Sequence, residues 1–415
     1  METELPHPDE VSLNGLVDIW ATAQAAMQEG KTRMLSPNAH KIPPTWSLGD
    51  LAQVYGEDYD KLRKRLAYKA SRGGSDLPVG WFKSPDGELT PNDGSTKGRV
   101  VYKLAEVALI VKALFPDWVR PDGVDGVVVT ICNYKGGVTK STSTLAFAQV
   151  LSLRGLKVLV IDLDSQATTT KWLVTKHVRE EDSCIKIFAE QAGSLKDYIM
   201  PTYWPGIDVI PAHDLIQTAE SHYHNLLTNV GPESVQYFPK EVRKLCSEYD
   251  VILIDTPPSL NNLTLSALFS SDGLVMPIVP SNPDIESASN FWRLYIDTCK
   301  ALGVSGDAVL FQFVRILISK ADMALSSTQN MINWIQESYP GKVMKTHITK
   351  TAAVARAADS FGTVFDEAKD LTRSAKVARD QMRSLYISGA AELAQLIYTC
   401  WDKAKAKQPT PATSV

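Results

Sequence analysis

The sequence predicts an α/β protein in which a mostly parallel sheet carries helices on both faces, preceded by a small winged helix-turn-helix domain and an N-terminal helix. From Val127 onward, apolar runs rich in β-branched residues alternate with helical stretches, which is typical of a parallel sheet covered on both faces. The first of these runs leads into a glycine-rich turn. Ahead of them lie a short helix, a basic helix and two strand-like segments, the element order of a winged helix-turn-helix.

Composition places the chain among ordinary globular proteins. Its 415 residues are 44% hydrophobic and 22% charged, enough for two or three domains. A net charge of -4 argues against a uniformly basic nucleic-acid-binding protein but leaves room for a basic face on one domain. The five cysteines form no CxxC pair, so we expect neither a disulfide framework nor a zinc site, and a reducing cytosol is the predicted location. No signal peptide and no membrane span are predicted.

Segment composition suggests five regions. We expect residues 1–44 to hold a helix and a linker, 45–116 the winged helix-turn-helix, 117–125 a second linker, 126–403 the main domain, and 404–415 a disordered tail. The first helix has an apolar stripe formed by Leu13, Leu16, Val17, Trp20, Ala23 and Met27. That stripe could pack on its own domain or serve as a dimerisation arm, and the sequence does not choose between them.

The predicted winged helix-turn-helix carries a dense positive helix. Ser47 is placed as a helix cap and Gly56 as a helix stop, and a second helix follows after a short break. Its basic residues are Lys61, Arg63, Lys64, Arg65, Lys69 and Arg72, with no acidic residue among them. This pattern predicts contact with DNA phosphates, although a solvated charged helix beside an ordinary hairpin would have the same sequence.

The glycine-rich turn, "KGGVTKST", predicts a phosphate-binding loop. A strand, this turn and a helix that starts at Lys140-Ser141 would aim backbone N–H groups at an anion, neutralise it with lysine and supply a hydroxyl for Mg²⁺. The usual pattern G-x-x-x-x-G-K-[ST] fails at both glycines, where Tyr134 and Thr139 stand. The expected nucleotide-binding residues here are Gly136, Gly137, Val138, Thr139, Lys140, Ser141 and Thr142.

With its two lysines, this loop resembles the deviant Walker A ATPases of the ParA/MinD superfamily, whose motif is KGGxxK[ST]. The resemblance implies that Lys140 holds the ATP of its own subunit. It also implies that Lys135 reaches across a homodimer to the nucleotide of the partner, and that Mg²⁺ is required. A β-branched residue at Thr139 is a variant whose effect on turnover the sequence leaves open.

Three later segments extend the resemblance. "VLVIDLDSQ" is similar to the family's DxDPQ segment, which implies that Asp162 orients the attacking water; Ser165 replaces the usual proline. "VILIDTPP" has the form of a Walker B strand, so Asp255 is expected to hold Mg²⁺ through water, together with the Ser141 hydroxyl. A proline-rich loop after the fifth strand is expected to touch adenine through Pro280, Ser281, Asn282 and Pro283.

The chain resembles the large ParA partition ATPases of plasmids and secondary chromosomes, strongly across residues 126–290 and by pattern alone across 11–116. The resemblance implies ATP-dependent dimers that bind DNA non-specifically, with filaments left open. It further implies slow hydrolysis stimulated by a ParB-like centromere-binding protein, repression of their own operon, and a cytoplasmic, nucleoid-associated location. Candidate DNA contacts near the C-terminus are Lys350, Arg356, Lys376 and Arg379, with Arg373 and Arg383 on the same helix. A solvated helix surface is the ordinary alternative for this last group.

Two other functions stay open at this point. One is a transcriptional regulator whose nucleotide site only senses ATP. The other is a membrane-cycling positioning ATPase of the MinD kind, for which the terminal segment "GAAELAQLIYTCWDKAKAK" would be the anchor. A nitrogenase-reductase-like function is disfavoured because suitably paired cysteines are missing from the sequence. The sequence leaves open the replicon, any operator and the hydrolysis rate.

Overall fold

The computed structural model describes residues 13–34, 41–71, 77–84, 87–92, 99–218, 235–359, 362–366 and 371–408. Its helices are α1 Leu13–Met34, α2 Leu48–Tyr55, α3 Tyr59–Ser71, α4 Leu104–Leu114, α5 Lys140–Leu153, α6 Thr168–Leu173, α7 Ile185–Ala189, α8 Tyr237–Leu245, α9 Asn262–Ser270, α10 Asn282–Ala301, α11 Ser326–Ser338, α12 Ala352–Asp359 and α13 Arg373–Ala406. Its strands are β1 Trp46–Ser47, β2 Trp81–Lys83, β3 Leu89–Pro91, β4 Val100–Tyr102, β5 Val127–Ile131, β6 Val158–Asp162, β7 Met200–Pro201, β8 Ile207–Ile210, β9 Val251–Asp255, β10 Gly273–Ile278 and β11 Phe313–Ile318. None of these helices has both the length and the apolar sequence needed to cross a membrane.

The main sheet confirms the predicted α/β fold. Its strand order is β11-β10-β5-β9-β6-β8-β7, and every neighbouring pair is parallel except β7 and β8. Strands β5, β6, β9 and β10 are buried along their whole length, which explains why their sequences are continuous Val, Ile and Leu runs. In the register of the sheet Asp255 lies opposite both Ile131 and Asp162. The carboxyl ends of three central strands therefore meet at one edge, where open α/β sheets bind ligands.

Among the runs from Val127 onward, the sequence also predicts a strand at 342–349, and the structure forms no strand there. The segment 342–349 forms only two isolated bridges, Ile316 to Val343 and Ala321 to Thr349. Between them the backbone N–H groups of Lys345 and Thr346 each donate to the Glu392 carboxylate of α13, both at 2.8 Å. These two amides bind a helix, whereas Lys342, Met344 and Ile348 keep backbone hydrogen bonds to β11, so the segment lies along the sheet edge with an interrupted ladder. The seventh strand is instead the short antiparallel β7 at the opposite edge.

The N-terminal part of the chain has two helices, antiparallel strands and a further helix in the predicted order, and its assignment as a winged helix-turn-helix stays a prediction. Ser47 and Asp50 form a reciprocal capping box at the start of α2, and Gly56 ends that helix with left-handed backbone at φ 67°. Helices α2, α3 and α4 accompany an antiparallel sheet of order β1-β4-β2-β3. Helix α1 belongs to a separate compact unit, residues 1–42, and exposes Leu13, Leu16, Val17 and Trp20. Whether that stripe is a dimerisation arm stays a prediction.

Buried Arg154 and half-buried Arg383 join the N-terminal helices and strands to the main domain, and residues 43–415 form one compact unit. Arg154, at the end of α5, donates to the carbonyl of Val54 at 2.9 Å and lies 3.7 Å from the ring centroid of Trp118. Arg383 of α13 lies 5.2 Å from the ring centroid of Trp46. Burial lowers the pKa of the Arg383 guanidinium to about 10. The aromatic faces and carbonyls around both cations compensate for their desolvation.

Candidate nucleotide site

The loop between β5 and α5 is fixed at its start by Asn133. The buried Asn133 amide donates to the carbonyl of Pro277 at 2.6 Å and accepts from the backbone N–H of Lys135 at 3.0 Å. Gly137 and Thr139 both have left-handed backbone with φ 74°. Glycine adopts this conformation freely, whereas a β-branched residue is strained in it. The loop thus keeps the shape of a phosphate-binding loop although Thr139 replaces glycine.

A cavity of 620 Å³ opens beside this loop, within the usual size range of ligand pockets. One wall is the loop itself, through Gly136, Gly137, Thr139, Lys140, Ser141 and Thr142. The opposite wall consists of Lys320, residues 348–351, and Val354, Ala355 and Ala358 of α12. Asp164, Gln166, Thr168, Pro258 and Tyr386 complete the lining. Phosphate-binding backbone and a half-apolar wall face each other, as a nucleotide requires.

The two lysines of the loop have different surroundings. Lys140 is only 6% exposed, and its ammonium donates to the carbonyl of Lys135 at 3.1 Å. Burial lowers the pKa of Lys140, while the nearby carboxylates of Asp255 and Asp164 oppose that shift. Lys135 lies outside the cavity lining and its ammonium pairs with Asp284 at 2.7 Å. One cation therefore faces the chain's own cavity, and the other is held beside it.

The predicted adenine loop has a different place. None of Pro280, Ser281, Asn282 and Pro283 lines the cavity, and their assignment to the base stays a prediction. Ser281 caps α10, and its hydroxyl donates to the same Asp284 oxygen that binds Lys135. The loop after β10 thus positions the partner of Lys135. The wall opposite the phosphate loop comes instead from Lys320, just after β11, and from the segment before α12. Because open α/β sheets bind ligands at the carboxyl ends of their strands, Lys320 could have been predicted from the sequence.

Asp162, the last residue of β6, and Asp164 have different surroundings. Asp162 is 0% exposed; one carboxylate oxygen accepts from the Thr170 backbone N–H at 2.9 Å and from the Thr170 hydroxyl at 2.7 Å. Its other oxygen accepts from the backbone N–H of Asp164 at 3.1 Å. With its oxygens so occupied and away from the cavity, Asp162 does not fit the water-orienting role predicted for it. Asp164 is the carboxylate that lines the cavity.

Burial also perturbs the two strand-end carboxylates. It raises the pKa of Asp162 to about 8, with the charge of Asp255 adding to the effect. It raises the pKa of Asp255 to about 6, against hydrogen bonds from Ser141 and Thr169. Because these folded-state values lie above the ordinary 3.8, ionisation of the pair costs stability progressively as the pH rises from about 4 towards 8. A cation bound beside the pair would compensate.

Asp255 has a free coordination position for such a cation. One of its oxygens accepts from the Thr169 hydroxyl at 2.7 Å. The other is buried and has no hydrogen-bond partner among the described residues. A lone carboxylate oxygen beside the Ser141 hydroxyl fits Mg²⁺, which prefers one or two protein oxygens, several waters and the phosphates of its nucleotide.

The basic residues predicted on α3 divide into two groups. Lys61, Arg63, Lys64 and Lys69 are exposed, although Arg63 also pairs with Asp60 at 3.2 Å. Arg65 instead donates to Glu57 and to the carbonyl of Leu114, and lies 4.7 Å from the ring centroid of Phe115. Arg65 therefore packs the domain and is not supported as a DNA contact. Arg72 lies outside the described residues.

The C-terminal candidates divide in the same way. Arg356 and Lys376 are exposed. Lys350 lines the nucleotide cavity and pairs with Asp322 at 3.2 Å, which favours a role at the cavity over one on DNA. Arg379 donates to the carbonyls of Val364, at 2.9 Å, and Asp366, so it ties α13 to the segment 362–366. Arg379 is thus not supported as a DNA contact either.

Comparison with known proteins agrees with this geometry. The family described as AAA domain matches residues 126–305. Protein SopA of Escherichia coli K12 is 28% identical over 357 residues, covering 84% of this chain and 87% of its own length. A putative replication protein A of Sinorhizobium fredii is 26% identical over 387 residues, covering 88% and 89%. Plasmid partition protein A of Escherichia coli is 28% identical over 260 residues, covering 58% and 64%.

Two solved structures share the fold. A partition protein is 18% identical, covers 90% of this chain and 98% of its own, and superposes with a TM-score of 0.57. The ATP complex of McdA from Cyanothece is 15% identical, covers 69% and 99%, and gives a TM-score of 0.52. The fold and the phosphate loop define a P-loop ATPase. The similarity to SopA and to plasmid partition protein A supports a ParA-type partition ATPase of the large plasmid form.

Proposed function

We propose that the chain is an Mg-ATP-dependent DNA partition ATPase that dimerises on ATP, binds DNA non-specifically and hydrolyses ATP slowly until a ParB-like partner stimulates it. The observation that carries this proposal is that the two lysines of one loop have different surroundings. Lys140 is buried in the chain's own cavity, and Lys135 stands 40% exposed beside it. A monomeric nucleotide site needs only the first.

In the proposed reaction Lys140 and the backbone N–H groups of the loop bind the ATP phosphates. Asp164 accepts a hydrogen bond from a water molecule and orients it towards the γ-phosphorus. The water oxygen forms a bond to phosphorus as the bond to the ADP oxygen breaks, and phosphate leaves. Mg²⁺, held by Ser141 and through water by Asp255, would neutralise charge on the phosphates. The Lys320 and 348–351 wall would face the base and ribose.

Dimerisation would use Lys135. In the single chain its ammonium is neutralised by Asp284, which is 6% exposed. A triphosphate presented by a second copy carries more negative charge than one carboxylate, so it would compete for this cation. Lys135 would then leave Asp284 and contact the partner's nucleotide. Dimer formation would thereby require ATP and not ADP.

DNA binding would use exposed cations of α3 together with Arg356 and Lys376. Contacts of this kind go to phosphates, so they carry no base readout and weaken steeply with salt. Such binding would place the protein on the nucleoid in the cytoplasm. Repression of its own operon would use the winged-helix elements. Higher-order filaments on DNA stay an open extension.

One observation favours a second function, nucleotide-controlled transcriptional regulation. The winged-helix elements are packed rigidly on the ATPase domain through Arg154 and Arg383. A change of nucleotide state could therefore reorient the DNA-binding helix. The MinD-like alternative is disfavoured by helix α13, whose apolar residues Leu393, Ile397 and Trp401 are buried in the core and are not free to enter a membrane.

DNA co-sedimentation tests the proposal directly. The purified chain is sedimented with DNA in the presence of ATP, ADP or no nucleotide at several salt concentrations. We expect strong pelleting only with ATP. Equal pelleting in all three states would refute an ATP-controlled DNA switch.

The same assay tests the exposed basic residues of α3. Lys64→Ala should weaken DNA binding several-fold and lower the slope of log affinity against log salt by about 1, because one phosphate contact is lost. Lys300→Ala, which removes an exposed lysine in the last turn of α10, is the matched control and should leave the slope unchanged. A Lys64→Ala slope identical to wild type would exclude this helix face from the DNA contact.

A further inference from the structure

The nucleotide loop contains a strained position. Thr139 has a left-handed backbone at φ 74°. Threonine is β-branched, and β-branched residues are disfavoured in this conformation. Strain of this kind persists only where surrounding contacts hold the chain in place. The contact that does so is thus part of what makes the loop able to bind phosphate.

The structure identifies such a contact at the end of β11. Ser319 is 0% exposed, and its hydroxyl donates to the carbonyl of Val138 at 3.0 Å. Its own backbone N–H donates to the carbonyl of Ile278 at 2.9 Å, so the serine is anchored in the sheet. The Val138 side chain is 1% exposed and is fixed by packing. A rigid strand end therefore holds the peptide bond that precedes Thr139.

That peptide bond also carries the N–H of Thr139. Because a trans peptide is planar, its carbonyl and its N–H point in opposite directions, and fixing one fixes the other. Thr139 lines the cavity, and so does Lys320, the residue that follows Ser319. We propose that Ser319 is a positioning residue for ATP: it holds the Val138–Thr139 peptide so that the Thr139 N–H faces the bound phosphates. The inference rests on the proposed nucleotide function.

This role differs from ordinary core packing in a testable way. If the hydroxyl only stabilised the fold, its removal would lower stability without a specific effect on ATP. If the Ser319 hydroxyl holds a strained peptide, then a residue at position 139 that is not strained there should make the hydroxyl dispensable for ATP binding. Glycine at position 139 is such a residue, since it adopts left-handed backbone without strain.

The experiment measures ATP affinity of the full chain with Mg²⁺ by isothermal titration calorimetry. We expect Ser319→Ala to raise the Kd for ATP about five- to tenfold, the effect of one lost hydrogen bond. Cysteine fills nearly the same space as serine but is a weak donor, so the Kd of Ser319→Cys should lie between those of the wild type and Ser319→Ala. The cysteine variant replaces the alanine variant in the experiment if the latter does not fold. Combining Ser319→Ala with Thr139→Gly should restore the Kd to within about twofold of Thr139→Gly alone.

The matched control is Ser270→Ala. Ser270 is also 0% exposed, and its hydroxyl donates to the carbonyl of Ser266 at 2.7 Å within α9. That variant should lose similar stability and keep the wild-type Kd. A wild-type Kd in Ser319→Ala, or no recovery in the double variant, would overturn the inference alone. Absence of ATP binding by the wild-type chain would overturn the proposed function as well.

Discussion

Lys140→Ala should raise the Kd for ATP by about two to four orders of magnitude. The lysine is 6% exposed in the cavity wall, and its removal would leave the negative phosphates without their buried cation. Losing one member of a buried charge pair costs about 3–5 kcal/mol, which corresponds to this change in Kd. Fluorescent-nucleotide titration of the purified chain provides the measurement.

The control for this variant is the second lysine of the same loop. Lys135→Ala should keep ATP affinity within about threefold of wild type, because the Lys135 ammonium pairs with Asp284 outside the cavity lining. It should nevertheless lose ATP-dependent DNA binding. If instead Lys135→Ala abolished ATP binding and Lys140→Ala did not, the roles assigned to the two lysines would be reversed.

Asp164→Ala should reduce ATP turnover about 100-fold or more while ATP affinity stays within about threefold. Positioned carboxylates of this kind contribute roughly 10²–10⁴-fold to rate, and Asp164 is the strand-end carboxylate that lines the cavity. Steady-state phosphate release and ATP titration measure the two effects separately. Asp297→Ala, an exposed carboxylate on α10, is the matched control and should turn over normally.

Asp162→Ala should behave differently from Asp164→Ala. It would leave the Thr170 N–H, the Thr170 hydroxyl and the Asp164 N–H without an acceptor in a fully buried site. We expect the free energy of unfolding to fall by about 2–3 kcal/mol, measured by urea denaturation. A well-folded Asp162→Ala chain without hydrolysis, beside an active Asp164→Ala chain, would restore the assignment that the sequence suggested.

The fold was predictable because its signal is local. Strands buried on both faces require unbroken apolar runs, and β5, β6, β9 and β10 have them. The segment 342–349 contains two lysines and a histidine, and between its two bridges the amides of Lys345 and Thr346 bind a distant carboxylate, Glu392. No local pattern reports such a competitor.

The phosphate loop of the candidate site was easier to predict from the sequence than the other residues that line the cavity. The phosphate loop is contiguous in sequence, whereas the opposite wall comes from Lys320 and residues 348–351, far along the chain. Asp162 and Asp164 are two residues apart and equivalent in a strand pattern; only the end of β6 at Asp162 separates them. The prediction of Arg65 as a DNA contact was avoidable. Its spacing from Leu62 and Leu66 in the sequence already places it near the buried face of α3.

The central claim is that ATP draws Lys135 away from its own chain to the partner's nucleotide. A crystal structure of the Asp164→Ala chain with Mg²⁺ and ATP tests it most directly. The account predicts a two-fold dimer in which the Lys135 ammonium of each subunit lies within hydrogen-bonding distance of the other subunit's phosphates and no longer contacts Asp284. A nucleotide-loaded chain in which Lys135 still pairs with its own Asp284, or points into solvent, would contradict it.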